Sequence, residues 1–190
     1  MAGEEFQRLR QRLLAVTQGE VLELGIGTGL NLLHYPETVR NLYAVDPAVL
    51  LPKTVLARSA SLPFPVHIEQ GAAEAMTHAN QYFDYVVSTW TLCTIPNPVQ
   101  ALQEVARVLK PGGHFLFLEH GRSEDQKIAA WQDRLNPIQN VVGCGCHLNR
   151  QIDRLITQSG LSIAHLDRFS MQSVPRLAGE MYRGTATRQH

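Results

Sequence analysis

The 190 residues carry 44% hydrophobic and 18% charged side chains, enough to bury one sizeable core and too ordinary for a disordered or fibrous chain. Lysine plus arginine equals aspartate plus glutamate, 17 against 17, which argues against a nucleic-acid-binding module or a surface drawn to anionic lipid. Three cysteines are too few for a disulfide framework and suit a reducing, cytoplasmic compartment, while no stretch has the length and apolarity of a membrane span or a secretory signal.

Residues 4–17 set Phe6, Leu9, Leu13, Leu14 and Val16 at roughly helical spacing among charges, which predicts a short amphipathic helix closed by Gly19. Short apolar runs then alternate with longer helical stretches. Strands are expected at Val21–Leu24, Leu42–Val45, Val66–Glu69, Tyr82–Ser88 and His114–Glu119, with helices near 29–34, 47–58 and 97–109. That alternation predicts an α/β fold, a parallel sheet covered on both faces and joined by right-handed crossovers. Pro111-Gly112-Gly113 is expected to end the third helix and turn the chain into the fifth strand. Past Glu119, residues 124–136 and 149–159 read as helices around a glycine- and cysteine-rich stretch at 138–147. Strands at 161–169 and 180–187 follow with only a loop containing Pro175 between them, so they are expected to pair antiparallel. No repeat, low-complexity segment or linker divides the chain, which reads as one domain.

The most informative segment is Val21-Leu22-Glu23-Leu24-Gly25-Ile26-Gly27-Thr28-Gly29, an apolar strand running into three glycines at alternate positions. Glycine lets a backbone turn sharply and approach a ligand, and free N–H groups at a following helix start would offer an anion site. A dinucleotide fingerprint needs G-x-G-x-x-G, and here the residue completing that pattern from Gly25 is Leu30, which counts against a pyrophosphate-bearing cofactor. Asp46 closes the second strand, 21 positions after Gly25, where an acid can hold ribose hydroxyls. With Pro47 after it, Asp46 also reads as a helix N-cap.

In that order and spacing, E-L-G-I-G-T-G, A-V-D-P, F-D-Y-V-V-S-T and E-V-A-R-V-L-K-P-G-G resemble the class I S-adenosylmethionine-dependent methyltransferases over residues 20–120. The resemblance implies a doubly wound, seven-stranded, mostly parallel sheet with the last strand antiparallel. It implies S-adenosyl-L-methionine as cofactor, with Glu23 and the Gly25, Gly27 and Gly29 loop at the methionine part. Asp46 would hold the ribose, Ala73 and Glu74 would lie along adenine within Gly71-Ala72-Ala73-Glu74, and Thr89 would sit beside the methionyl amine. Many relatives place an acid where this chain has Ala72, so an adenine bond made there is missing or passes to Glu74. By the same resemblance, residues 1–18 form a leading helix, 20–120 the cofactor-binding core, and 121–190 the acceptor side with the final strand pair.

T-L-C-T-I-P-N-P at 91–98, E-H-G at 119–121, W-Q-x-x-L-N-P-I-Q at 131–139 and G-C-G-C-H-L-N-R at 143–150 resemble a narrower group, the animal thiol S-methyltransferases and their bacterial relatives. Those animal members carry an N-terminal membrane anchor with no counterpart in the first residues here, so membrane association is not expected to carry over. The resemblance implies a small, rather apolar methyl acceptor, with a thiol as one candidate. A lipid head group or quinone ring is the alternative acceptor. A nicotinamide-dependent oxidoreductase and a non-catalytic cofactor binder are the rival classes. His120, just past the fifth strand, is a candidate general base; a histidine merely ending a strand is the plainer reading. Trp90 and Trp131 are candidates to wall the pocket, or to fill core. Cys144, Cys146 and His147 invite a metal site, alone or with Cys93 around a soft ion such as trivalent arsenic. C-x-C-H lacks a second ligand pair, however, so the expectation is a tight turn of small residues and no metal.

Overall fold

The computed structural model describes residues 3–143 and 145–188. The chain opens with α1 (Glu4–Leu14) and β1 (Gly19–Leu24), then passes a single 3-10 turn at Asn31–Leu33 into β2 (Val39–Asp46). Next come α2 (Lys53–Ala60), β3 (Val66–Gln70), β4 (Phe83–Thr89), α3 (Pro98–Val108) and β5 (Leu109–His120). The remainder is α4 (Gln126–Val142), α5 (Ile152–Gln158), β6 (Leu161–Ser170), the one-turn α6 (Arg176–Gly179) and β7 (Glu180–Arg188).

The seven strands form one sheet in the order β3-β2-β1-β4-β5-β7-β6. β1 pairs parallel with β2 and β4, β2 with β3, and β4 with β5, whereas β7 runs antiparallel to both neighbours. Alternation along each strand feeds a core on either face. On β1, Leu22 and Leu24 enter the core built with α3 and α5, and Val21 enters the core under α1. On β5, Phe115 and Phe117 take the first side, Leu116 and Leu118 the second. α3 shows how one helix earns its place: Pro98 sits at its first position and Asn97 caps it, its Oδ1 accepting from Gln100 N at 3.2 Å. Its buried face of Ala101, Leu102, Val105 and Val108 follows helical periodicity. Each large apolar side chain so buried stabilises by ~1.5–3 kcal/mol.

The expected doubly wound sheet with an antiparallel last strand is present, and several boundaries differ for local reasons. The helix expected near 29–34 shrinks to one 3-10 turn because Gly29 is still left-handed at φ +69° and Pro36 excludes helical backbone at Tyr35. The helix expected from 47 starts only at Lys53, since Pro52 disfavours helical geometry just before it. Asp46 is therefore not an N-cap; Pro52 occupies that place. β5 begins before Pro111-Gly112-Gly113, not after it, and takes up those residues as an irregularity opposite Phe83 and Tyr85. α4 runs through Pro137 to Val142, so much of the stretch expected as a glycine-rich turn is helical.

Candidate active site

In an open α/β sheet, ligands bind beyond the carboxyl ends of the strands where strand order reverses. Here the reversal falls between β1 and β4, and a cavity of about 850 Å³ opens there. Its walls come from the loops after β1, β2, β3 and β4, and from α1. Gly25, Gly27, Asp46, Ala73, Glu74 and Thr89 all line it, as does Glu23 inside the end of β1. Gly29 sits behind the loop instead, its missing Cβ avoiding Leu32 and Val55.

The glycine loop is shaped by its own backbone and by Asp46. Gly25 and Gly27 have φ of +71° and +50°, which side-chain-bearing residues rarely adopt. A Cβ on Gly25 would strike Thr91, whereas one on Gly27 would meet nothing within 4 Å. Asp46 Oδ2 accepts from Gly27 N at 2.9 Å and Oδ1 from Ala48 N at 2.9 Å, so the acid at the end of β2 fixes the loop after β1. Each oxygen keeps a further lone pair for a ligand hydroxyl.

Glu23 is fully buried beside this loop. Its Oε1 accepts from Asn31 Nδ2 and its Oε2 from the Tyr35 hydroxyl, both at 2.8 Å. Burial pushes its carboxyl up to about 7, although those two bonds and the nearby Arg10 pull the other way. Arg10 Nη1 donates to Asn31 Oδ1 at 2.5 Å and to Thr89 Oγ1 at 3.1 Å, and the guanidinium lies 4.6 Å from the centre of the Trp90 ring. Asn31 Nδ2 also donates to Thr89 Oγ1 at 3.0 Å, which closes the network. Trp90 lines the cavity with a left-handed backbone at φ +51° and packs on Phe6.

Arg10, Asn31 and Tyr35 were not singled out among the candidate residues of the sequence. For Arg10 a signal existed: it lies four residues after Phe6 and three before Leu13, inside the apolar arc of α1, where a charge is out of place. The same residues supply the fit for a charged ligand. Arg10 Nε is buried without a partner in a residue that lines the cavity, and Gly27 leaves room where a side chain would intrude.

Glu74 faces elsewhere in part, its Oε1 accepting from Asn97 N at 3.2 Å at the start of α3. Trp131 is exposed on α4 and, unlike Trp90, does not line the cavity. His120 does not line it either; its Nε2 lies 2.9 Å from Cys146 Sγ. Cys93 joins them, and the donor atoms of Cys93, His120 and Cys146 all fall within 4.8 Å of one another. The contact with Cys146 and burial push the Cys93 thiol up, while the bond from Cys93 holds Cys146 down. Burial works to lower His120, and contact with Cys146 outweighs it, leaving the imidazole raised. His147 has no place in this cluster: its ring nitrogens lie 3.1 Å and 2.8 Å from the carboxamides of Asn136 and Asn140. Cys144 lies outside the described residues.

The frame is an open seven-stranded α/β sheet with a charged cavity where strand order reverses, and comparison with known proteins supplies the class. The family profile of the methyltransferase domain matches residues 22–117. Thiol S-methyltransferase TMT1B of Rattus norvegicus is 32% identical over 86% of this chain and 68% of its own length; TMT1A of Homo sapiens is 32% identical over 75% and 59%. A phosphatidylethanolamine N-methyltransferase of Cereibacter sphaeroides is 27% identical over 76% of this chain and 71% of its own. Among solved structures, an S-adenosylmethionine-dependent methyltransferase from Mesorhizobium loti superposes with a TM-score of 0.70 at 16% identity, covering 98% and 99% of the two chains. The [4+2]-cyclase SpnF does so with 0.74 at 18%, covering 97% and 80%, so the fold by itself does not name a reaction. The chain belongs to the methyltransferase-domain family and is an S-adenosylmethionine-dependent methyltransferase. Among the described residues, no helix is long and apolar enough to cross a membrane.

Proposed function

We propose that the chain methylates a small, apolar thiol. The observation carrying this is the division of the cavity. Its glycine-loop end is rich in charge, whereas the 90–96 segment presents only Trp90, Thr91, Thr94, Ile95 and Pro96, none of them an acid or a base. A thiol acceptor needs neither, because a few per cent is already thiolate near neutral pH. An acceptor of higher pKa would call for a positioned base there. The relationship to the TMT1 thiol S-methyltransferases supports the same acceptor class.

S-adenosylmethionine, when bound, supplies a methyl group already activated on a sulfonium sulfur. The protein's part is to hold, align and exclude water. Glu23 and Arg10 are the anion and cation suited to an amino-acid end, with Thr89 beside them and the backbone of Gly25 and Gly27 beneath. Asp46 is the acceptor for ribose hydroxyls, and Ala73 with Glu74 borders the base. Trp90, held against Arg10 and Phe6, closes the side from which the acceptor enters. His120 takes no part as a base in this reading, since its Nε2 is engaged by Cys146.

The test is turnover of isotopically labelled S-adenosylmethionine against a panel of small thiols, amines, phenols and quinols. Methyl thioether products from apolar thiols are expected. Turnover confined to amines or quinols would transfer the chain to the lipid head-group or quinone reading.

A further inference from the structure

We propose that Cys93, His120 and Cys146 form a binding site for one thiophilic divalent cation of the zinc type. The three donors come from separate segments: the turn after β4, the last residue of β5, and the turn between α4 and α5. They lie within 4.8 Å of one another, with Cys146 Sγ and His120 Nε2 at 2.9 Å. Tetrahedral zinc, with bonds of ~2.3 Å to sulfur and ~2.0 Å to nitrogen, separates neighbouring donors by roughly 3.5–3.8 Å. Closing on an ion therefore asks His120 and Cys146 to part by ~0.6 Å, which small side-chain rotations supply.

The donor chemistry selects the metal. Two sulfurs and an imidazole suit zinc and its soft neighbours, whereas magnesium and calcium take oxygen ligands. Charge balance agrees. Both cysteines are buried, at 2% and 7% exposure, and Leu148 packs against them. Two thiolates and a neutral imidazole around a divalent ion sum to zero, the charge state least costly in a dry setting. His120 turns Nε2 to the sulfur, while its buried Nδ1 has no partner.

The donors are also held in place by other bonds. His147 N donates to Cys93 O at 2.9 Å, Arg150 Nη1 donates to Leu92 O and Ile95 O, and Leu148 N donates to Asn136 Oδ1 at 3.0 Å. Binding thus orders little new chain, which favours affinity. Among the described residues the protein supplies three ligands, which leaves a fourth position for a water or another ligand. The ion would pin the 90–96 wall of the cavity to the turn at 143–149, whatever the methyl acceptor is. Of the local run that the sequence suggests, it would use Cys146 and not His147, whose ring is held by Asn136 and Asn140.

The full chain, kept reduced with a phosphine and stripped of metal, is titrated with Co²⁺ and then with Zn²⁺. One equivalent of Co²⁺ is expected to give a thiolate-to-cobalt charge-transfer band and the intense visible bands of four-coordination, both bleached by one equivalent of Zn²⁺. Cys93→Ser and Cys146→Ser should each weaken zinc binding by at least ~100-fold, beyond the ~10–100-fold that loss of an outer-shell partner costs. His120→Ala should do so too and guards against a serine variant that does not fold, circular dichroism serving as the check. Cys144→Ser should leave the spectrum unchanged. A folded wild-type chain without a thiolate band overturns the proposal. So does a band that survives Cys93→Ser and vanishes with Cys144→Ser.

Discussion

The glycine loop at 25–29 and the glycine-rich turn at 143–149 face the same end of the sheet and are built in opposite ways. Gly25, Gly27 and Gly29 all adopt positive φ, and the side chains that brace them are Asp46, which ends the adjoining strand, and Arg58 on α2, which donates to Thr28 O and Gly29 O. That loop works through its backbone, so its glycine spacing is written into the sequence. The turn at 143–149 is held by side chains from elsewhere: Asn136 and Asn140 on α4 hold His147, and Asn136 also takes Leu148 N. Backbone pairing of His147 with Cys93 adds a tie across more than fifty residues. A loop that acts through its own N–H groups leaves a motif. One held by distant partners leaves a scatter of asparagines and cysteines whose meaning needs the fold.

Asp46→Ala is the sharpest break on the first side. It should weaken binding of S-adenosylhomocysteine by ~1.5–3 kcal/mol for each charge-assisted bond lost, measured by calorimetry. Unchanged affinity in the folded variant would reduce Asp46 to a tie between Gly27 and Ala48. On the second side, Asn136→Ala removes the acceptor for Leu148 N and one partner of His147. A loss of about 1–3 kcal/mol in denaturant unfolding is expected, with cofactor affinity unchanged and the acceptor KM raised. A parallel fall in cofactor affinity would show that the two loops are not separate devices.

The third test is one of pH. Glu23 titrates at about 7 in the folded protein, mainly because it is buried, against an ordinary 4.5. Between those values the folded protein holds a proton that the unfolded chain has released. Glu23's contribution is therefore undiminished below pH 4.5 and is lost as pH rises through about 7. Melting of the ligand-free protein across that window should show the decline, and Glu23→Gln should flatten it. An unchanged slope in the variant would assign the dependence to another group.

Much of the candidate site was legible. Gly25, Gly27, Asp46, Ala73, Glu74 and Thr89 all reach one cavity because motif spacing and strand alternation fix where each strand ends. Arg10 was not singled out, because a guanidinium on an amphipathic helix reads as solvated until the surrounding apolar arc is taken seriously. Asn31 was hidden by an expected helix near 29–34 that Gly29 and Pro36 cut to one turn, and Tyr35 lies just beyond it. The cysteines misled through proximity in sequence. Cys146 meets Cys93 and His120, which belong to other strands' ends, while neighbouring His147 turns to α4. Helical continuation through Pro137 had a local cost of ~3 kcal/mol against it, yet it is what sets Asn136 and Asn140 one turn apart.

The place of β7 has a consequence for how the chain reaches its fold. It follows every other strand in sequence but lies inside the sheet, between β5 and β6. Until residues 181–187 are made, one edge of β5 from His114 to His120 stays unpaired, and β6 has no strand neighbour at all. The sheet is therefore completed from within, by its last strand, during or after synthesis of the rest. A chain broken inside β7 presents two open edges at once, each a template for pairing with another molecule. Late truncation should yield aggregates in place of a smaller soluble domain, even though every described residue that lines the cavity comes before Asn97.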